Sequence, residues 1–185
     1  ISIDTMKPEV ARAAVAVGAT IWNDVTALTH APDSMATAAE LGCEVVLMHM
    51  KGEPRTMQDD PRYGDVVSEV AAFLAARAEA AVIAGVARER IWLDPGLGFG
   101  KTAAHNLELT RRLDEIAALG FPVLYGVSRK RTIQAVDPTA TDPLDRLGGS
   151  LALALEAARR GAAVIRAHDV RETVQALKLQ AAVGD

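Results

Sequence analysis

The chain holds a single cysteine, Cys43, so no internal disulfide can form and a reducing compartment suits it. Aromatic residues are scarce, at 4% against 50% hydrophobic, so Ala, Val and Leu must fill the core. No apolar run approaches the ~20 residues that a membrane helix needs. There is no excess of basic charge: the formal net charge is −4, which argues against nucleic acid as a partner. It leaves room for a local cationic pocket. No charged-then-apolar secretory signal stands at the start. No low-complexity stretch or linker interrupts the chain, so residues 1–185 read as one domain. These absences suit a cytoplasmic domain.

What is present alternates between strand and helix. Short strands are expected at Ile1–Asp4, Ala19–Asn23, Glu44–Met48, Arg90–Asp94, Pro122–Gly126 and Ala163–Ala167. Helices are expected at Pro8–Val17, Met35–Leu41, Gly64–Ala84, Asn106–Ala118, Leu147–Arg160 and Val170–Ala182, with residues 51–63 and the stretch from 127 to 146 as loops. Leu107, Leu109, Leu113, Ile116 and Ala117 recur near the helical period. Strands alternating with helices imply a parallel sheet. Val45-Val46-Leu47 is apolar on both parities, as expected where helices cover the sheet. An open doubly wound sheet fits, and so does a (β/α)8 barrel with six of its eight units present. A strand that begins at Ile1 with no lead-in favours a barrel whose first two strands precede these residues.

One loop stands out. Leu93-Asp94-Pro95-Gly96-Leu97-Gly98-Phe99-Gly100-Lys101-Thr102 carries an acid to a strand end and then three glycines within five residues. Proline has no N–H for the ladder, and glycine permits positive φ and close approach. The Gly100-Lys101-Thr102 ending imitates a phosphate-binding P-loop. That motif needs a glycine five residues before its second glycine, where this chain has Pro95. Lys101 therefore reads as solvated or locally paired.

The six strands run into Asp4, Asn23, Met48-His49, Asp94, Ser128-Arg129-Lys130 and Arg166-Ala167-His168. In a (β/α) barrel these ends share one mouth, where active sites sit. Asp4, Asn23 and Asp94 offer acceptors and one amide, suited to a ring with several N–H donors. Lys130, Arg166 and His168 offer cationic donors, suited to phosphate or diphosphate. A donor-rich heterocycle with an anionic tail would match both halves. The plain readings are a packed or hydrogen-bonded His49, exposed His30 and His105, a structural salt bridge for Arg129 behind Lys130, and a buried, inert Cys43.

The segments Ser2-Ile3-Asp4-Thr5, Trp22-Asn23-Asp24-Val25, Val46-Leu47-Met48-His49-Met50, the 93–102 loop, Gly126-Val127-Ser128-Arg129-Lys130 and Arg166-Ala167-His168-Asp169-Val170 carry a resemblance. In order and spacing over the whole chain they are similar to the dihydropteroate synthases. The resemblance implies a (β/α)8 barrel that joins a dihydropterin diphosphate to p-aminobenzoate. It implies that Asp4, Asn23, Asp94 and Lys130 hold the pterin, with Met48 lining the pocket. Phe99 and Lys130 would border p-aminobenzoate, and Arg166 and His168 would bind diphosphate. Asp94 and Lys130 would be catalytic. Mg2+ is the implied cofactor, with its protein ligand in the family's first two strands and loops, outside this chain. On that reading these residues alone lack catalysis. A homodimer through the late helices is implied as well, with no nucleic-acid or membrane partner.

One departure stands at Arg131-Thr132-Ile133-Gln134, where the family commonly has Ser-Phe-Ile-Gly. Arg131 is taken as a tolerated variant with no role. Two other readings remain. A pterin-binding methyltransferase, moving methyl from a folate to a corrinoid, uses similar strand-end Asp and Asn but has no diphosphate to hold. A non-catalytic paralogue would bind pterin without turnover.

Overall fold

The computed structural model describes residues 1–53 and 55–184. Six parallel strands pair in sequence order: β1 (Ser2–Asp4), β2 (Ile21–Asp24), β3 (Glu44–Met48), β4 (Ile91–Asp94), β5 (Val123–Tyr125) and β6 (Ala162–Ile165). Each strand is followed by helix: α1 (Pro8–Ala16), α2 (Ser34–Leu41), α3 (Val66–Ile83), α4 (Ala103–Arg111), α5 (Leu113–Ala117), α6 (Arg131–Val136), α7 (Leu147–Arg159) and α8 (Val170–Gly184). The sheet curls into part of a (β/α) barrel, as expected from the alternation.

Strand side chains divide between two faces with period two. Trp22, Val45, Leu47, Ile91, Leu93, Val123 and Tyr125 are fully buried outward, against Val70, Leu74, Ala78 and Ala81 of α3 and against the later helices. Ser2, Asp4, Ile21, Asn23, Trp92, Leu124 and Val164 line a cavity of about 390 Å³ on the inner face. The few aromatics are spent where volume is needed: Trp22 and Tyr125 are the largest fully buried side chains. Tyr125 also satisfies its hydroxyl, 2.7 Å from Thr110 Oγ1.

Two expectations need correction. The helix expected over 106–118 begins earlier and breaks. Thr102 caps it, accepting from His105 N–H, and the His105 ring accepts from Thr102 N–H in return. It stops at Arg112, which leaves helical geometry (φ −117°, ψ 30°) where its guanidinium pairs with Glu115 and with Asp65 at the start of α3. The loop expected between 127 and 146 contains α6. Six residues are too few to display a period, and α6 is held by packing: a Cβ on Gly149 of α7 would come within 2.4 Å of Ile133 Cγ2. Among the described residues no helix is long and apolar enough to cross a membrane.

Candidate functional site

Register brings the strand-end groups level. Asp4 pairs across from Asn23, and Met48 across from Asp94. Asn23 Nδ2 donates to Asp4 Oδ1 at 2.7 Å, while Arg166 Nη2 donates to Asp4 Oδ2 at 2.7 Å. The Asp4–Arg166 pair joins the first strand to the residue after the last, which closes the inner cavity on one side. Asn23 is 6% exposed, and its Oδ1 is buried with no hydrogen-bond partner among the described residues. Leaving such an acceptor unpaired costs about 1–3 kcal/mol, so the position favours a ligand that brings a donor. A carboxylate has about four acceptor positions, so Asp4 can take further donors as well.

Asp94 is buried, and its Oδ1 accepts from Gly96 N–H at 2.7 Å. Burial pushes its carboxyl pKa up. The Gly96 N–H and the charges of Lys130, Lys101 and Arg166 oppose that shift. Asp94 Oδ1 is turned toward the loop that follows β4. Met48 is buried beside it, under Gly96. Lys130 donates its Nζ to Leu97 O and lies 5.0 Å from the centre of the Phe99 ring. Burial lowers its pKa, and Asp94 acts against that.

Lys130 borders two further cavities. One of about 250 Å³ is lined by Gly126, Ser128, Lys130, Arg166, Ala167 and His168. His168 is oriented there by Ser128, whose Oγ lies 3.0 Å from its Nδ1 and accepts its backbone N–H at 3.1 Å. Lys130, Arg166, the His168 ring and the Ser128 hydroxyl bring hydrogen-bonding groups, two of them cationic, to one concavity, a set suited to an anion. The other cavity, about 570 Å³, has Phe99, Lys130, Arg131 and Thr132 among its walls.

Lys130 is aimed by strain. Arg129 takes φ +60°, rare for a side chain of this size. It is held by Ser150 Oγ, which accepts its N–H at 3.0 Å, and by Arg146, which donates to its carbonyl at 2.9 Å. Its guanidinium meets Asp169 at 2.5 Å, the structural salt bridge expected behind Lys130.

The structure thus brings Asp4, Asn23 and Arg166 together at one rim, and Lys130, Arg166 and His168 around one concavity. Phe99 stands across Lys130, in the largest of these cavities. His30 is exposed and Cys43 buried, as expected. His49 is buried and hydrogen-bonded, and His105 is half-buried and caps α4 instead of lying exposed. Of the two readings of Lys101, the structure bears out local pairing and not solvation: it is 2% exposed and bonded to three carbonyls. Sequence reasoning also missed Asn106, which accepts from Gly98 N–H and donates to Thr132 Oγ1. It ties the Phe99 loop to the start of α6. A lone asparagine inside a helix gives no signal of that.

A family profile described as "pterin binding enzyme" matches residues 1–168. The dihydropteroate synthase of Escherichia coli (strain K12) is 46% identical over 97% of this chain, which covers 62% of that protein. The chain therefore spans less than two thirds of that relative. A crystal structure of dihydropteroate synthase from Stenotrophomonas maltophilia, with imidazole in its active site, superposes with a TM-score of 0.95. The two are 49% identical, over all of this chain and 69% of that one. The enzyme from Xanthomonas albilineans in complex with 7,8-dihydropteroate gives a TM-score of 0.91 at 47% identity, over 99% of this chain and 68% of that one.

Proposed function

Since the chain belongs to the pterin-binding enzyme family, we propose that the protein carrying it is a dihydropteroate synthase. It would condense 6-hydroxymethyl-7,8-dihydropterin diphosphate with p-aminobenzoate, giving 7,8-dihydropteroate and diphosphate for folate biosynthesis. The observation that carries this reading is the joined rim. The buried Asn23 Oδ1, unpartnered among the described residues, and the Asp4 carboxylate stand on one side of Arg166, and the Lys130–Arg166–His168 concavity on the other. That arrangement fits a donor-rich ring with an anionic tail. A methyltransferase would have no use for the anion half.

In this reading Asp4, Asn23, Asp94 and Lys130 hold the pterin, with Met48 against the ring. Arg166 and His168 take the diphosphate. The bond from the pterin methylene carbon to the diphosphate oxygen breaks, and its electrons leave with diphosphate. The resulting cation is shared with the ring. The buried Asp94 carboxylate stabilises that positive charge. The arylamine nitrogen, bordered by Phe99 and Lys130, attacks the carbon and then releases a proton.

Mg2+ remains part of the proposal at one remove. Among the described residues no three His, Cys, Asp or Glu side chains converge to hold a metal ion. These residues alone do not make a metal site, and no step above runs through one. A homodimer is also proposed, supported by Val174, Leu179 and Val183, which α8 leaves exposed. A cytoplasmic location is consistent with the lone thiol.

The test is formation of dihydropteroate by the full-length protein, with and without Mg2+, alongside Asp94→Asn. The substitution should lower kcat about a hundredfold or more, as loss of a transition-state charge does. A rate within about twofold of wild type would remove Asp94 from the mechanism. A folded protein that binds pterin and makes no product would support the non-catalytic reading.

A further inference from the structure

The lysine that imitates a P-loop has a different task. Every carbonyl from Gly96 to Gly100 meets a side-chain donor. Lys101 Nζ donates to Gly96 O and to Phe99 O, each at 3.1 Å. Lys130 donates to Leu97 O, Gln58 to Gly98 O, and Tyr63 Oη to Gly100 O at 2.8 Å. Lys101 Nζ also lies 2.9 Å from His49 Nδ1 and 3.3 Å from His49 O. The loop lies flat on the segment leaving β3: a Cβ on Gly96 would stand 1.9 Å from His49 O, and one on Gly100 2.1 Å from Lys51 O.

The Lys101 amine is thus buried among neutral acceptors, with no carboxylate in ion-pair reach among the described residues, and burial pushes its pKa down to about 7, against the charge of Asp94. An apolar side chain of similar length would fill this space without the desolvation penalty of a buried charge. The ammonium adds fixed positions for the two carbonyls that bracket the loop. Between them lie the Leu97 carbonyl that receives Lys130 and the Phe99 ring that faces it.

We propose that Lys101 is the positioning residue of the arylamine site, stapling the loop after β4 to the exit of β3 so that Phe99 stays in place at the wall of the arylamine cavity. The proposal rests on the synthase reading and names the half of the reaction that Lys101 serves. The inner cavity that would hold the pterin is lined by Asp4, Asn23, Trp92, Leu124 and Arg166, and by no residue of this loop. Phe99 and Lys130 border the other cavity.

The test uses the full-length protein and Lys101→Ala, which deletes the equivalent of propylammonium. The KM for p-aminobenzoate should rise about tenfold, while that for the pterin diphosphate stays within about twofold. Added propylammonium should restore the first value, and tetramethylammonium, which has no N–H, should not. Lys101→Met keeps the volume and should show the same split without rescue. An unchanged p-aminobenzoate KM, or equal rises for both substrates, overturns the proposal. If neither variant folds, Tyr63→Phe decides, since it removes one donor to the same loop: a wild-type p-aminobenzoate KM then overturns it. Should the wild-type protein make no dihydropteroate, the synthase reading fails by itself. Kd values for pterin and p-aminobenzoate from calorimetry would still report whether Lys101 acts on one site alone.

Discussion

His49 shows how far a single position can depend on what folds over it. The Phe73 ring meets it edge-on at 5.0 Å, and the Lys101 ammonium sits at its Nδ1. Burial, reinforced by the charge of Lys101, pushes the imidazole down to about 3 from its ordinary 6.5. The folded protein therefore holds it neutral, while the unfolded chain protonates it near pH 6.5. Unfolding takes up a proton between those values, so this contribution to stability is whole above pH 6.5 and is lost as pH falls toward 3. The slope is at most ~1.4 kcal/mol per pH unit. His49→Gln keeps an acceptor for Lys101 and cannot titrate. Urea unfolding at pH 7 and pH 5 should show the wild type losing up to about 2 kcal/mol more than the variant. Equal losses would mean that His49 is charged in the fold. Little of this is legible in the sequence. Asp4, Asn23, Lys130, Arg166 and His168 can be read because each ends or follows a strand, and parallel strands end together. The burial of Lys101 and the turn of Asp94 into Gly96 N–H depend on how one loop lies on another, which no local spacing encodes.

At the scale of elements, the six strands and the long α3 are legible to within two or three residues, because their apolar patterns are set by the two faces of the sheet. The α4–α5 break is not legible, since it follows from contacts of Arg112 with a helix start 47 residues earlier. Nor is α6, whose six residues are held by α7. Two adjacent glycines at the start of α7 test that packing. Gly148 has nothing within 4 Å of an added Cβ and takes no positive φ, so Gly148→Ala should stabilise by up to about 1 kcal/mol. Gly149 faces three Ile133 side-chain atoms between 2.4 and 3.4 Å. Gly149→Ala should destabilise by about 1–3 kcal/mol, because Ile133 must shift. It should also raise the KM for p-aminobenzoate, since α6 follows Lys130 directly. Thermal unfolding of the two variants should move Tm in opposite directions. A common direction would show that α6 does not seat on Gly149.

For the whole molecule, alternation alone carries the parallel order, but the curl has to be seen. It brings Arg166 to Asp4 across 162 residues of sequence, a contact that no window along the chain could reveal. The same curl leaves β1 paired only with β2 and β6 only with β5. Among the described residues neither outer strand has a second strand to pair with, and the one described side-chain link across the gap is the Asp4–Arg166 pair, with both partners half exposed or more. An exposed ion pair of that kind contributes about 0–1 kcal/mol, too little to seal two open edges. Uncovered strand edges recruit other chains. These 185 residues expressed by themselves should therefore associate, with a light-scattering mass that rises with protein concentration, and should turn over no pterin diphosphate. Asp4→Asn should leave that association unchanged, because the backbone edges and not the ion pair drive it. A monomer whose mass is independent of concentration, unfolding in one cooperative step, would show that the six strands satisfy their own edges.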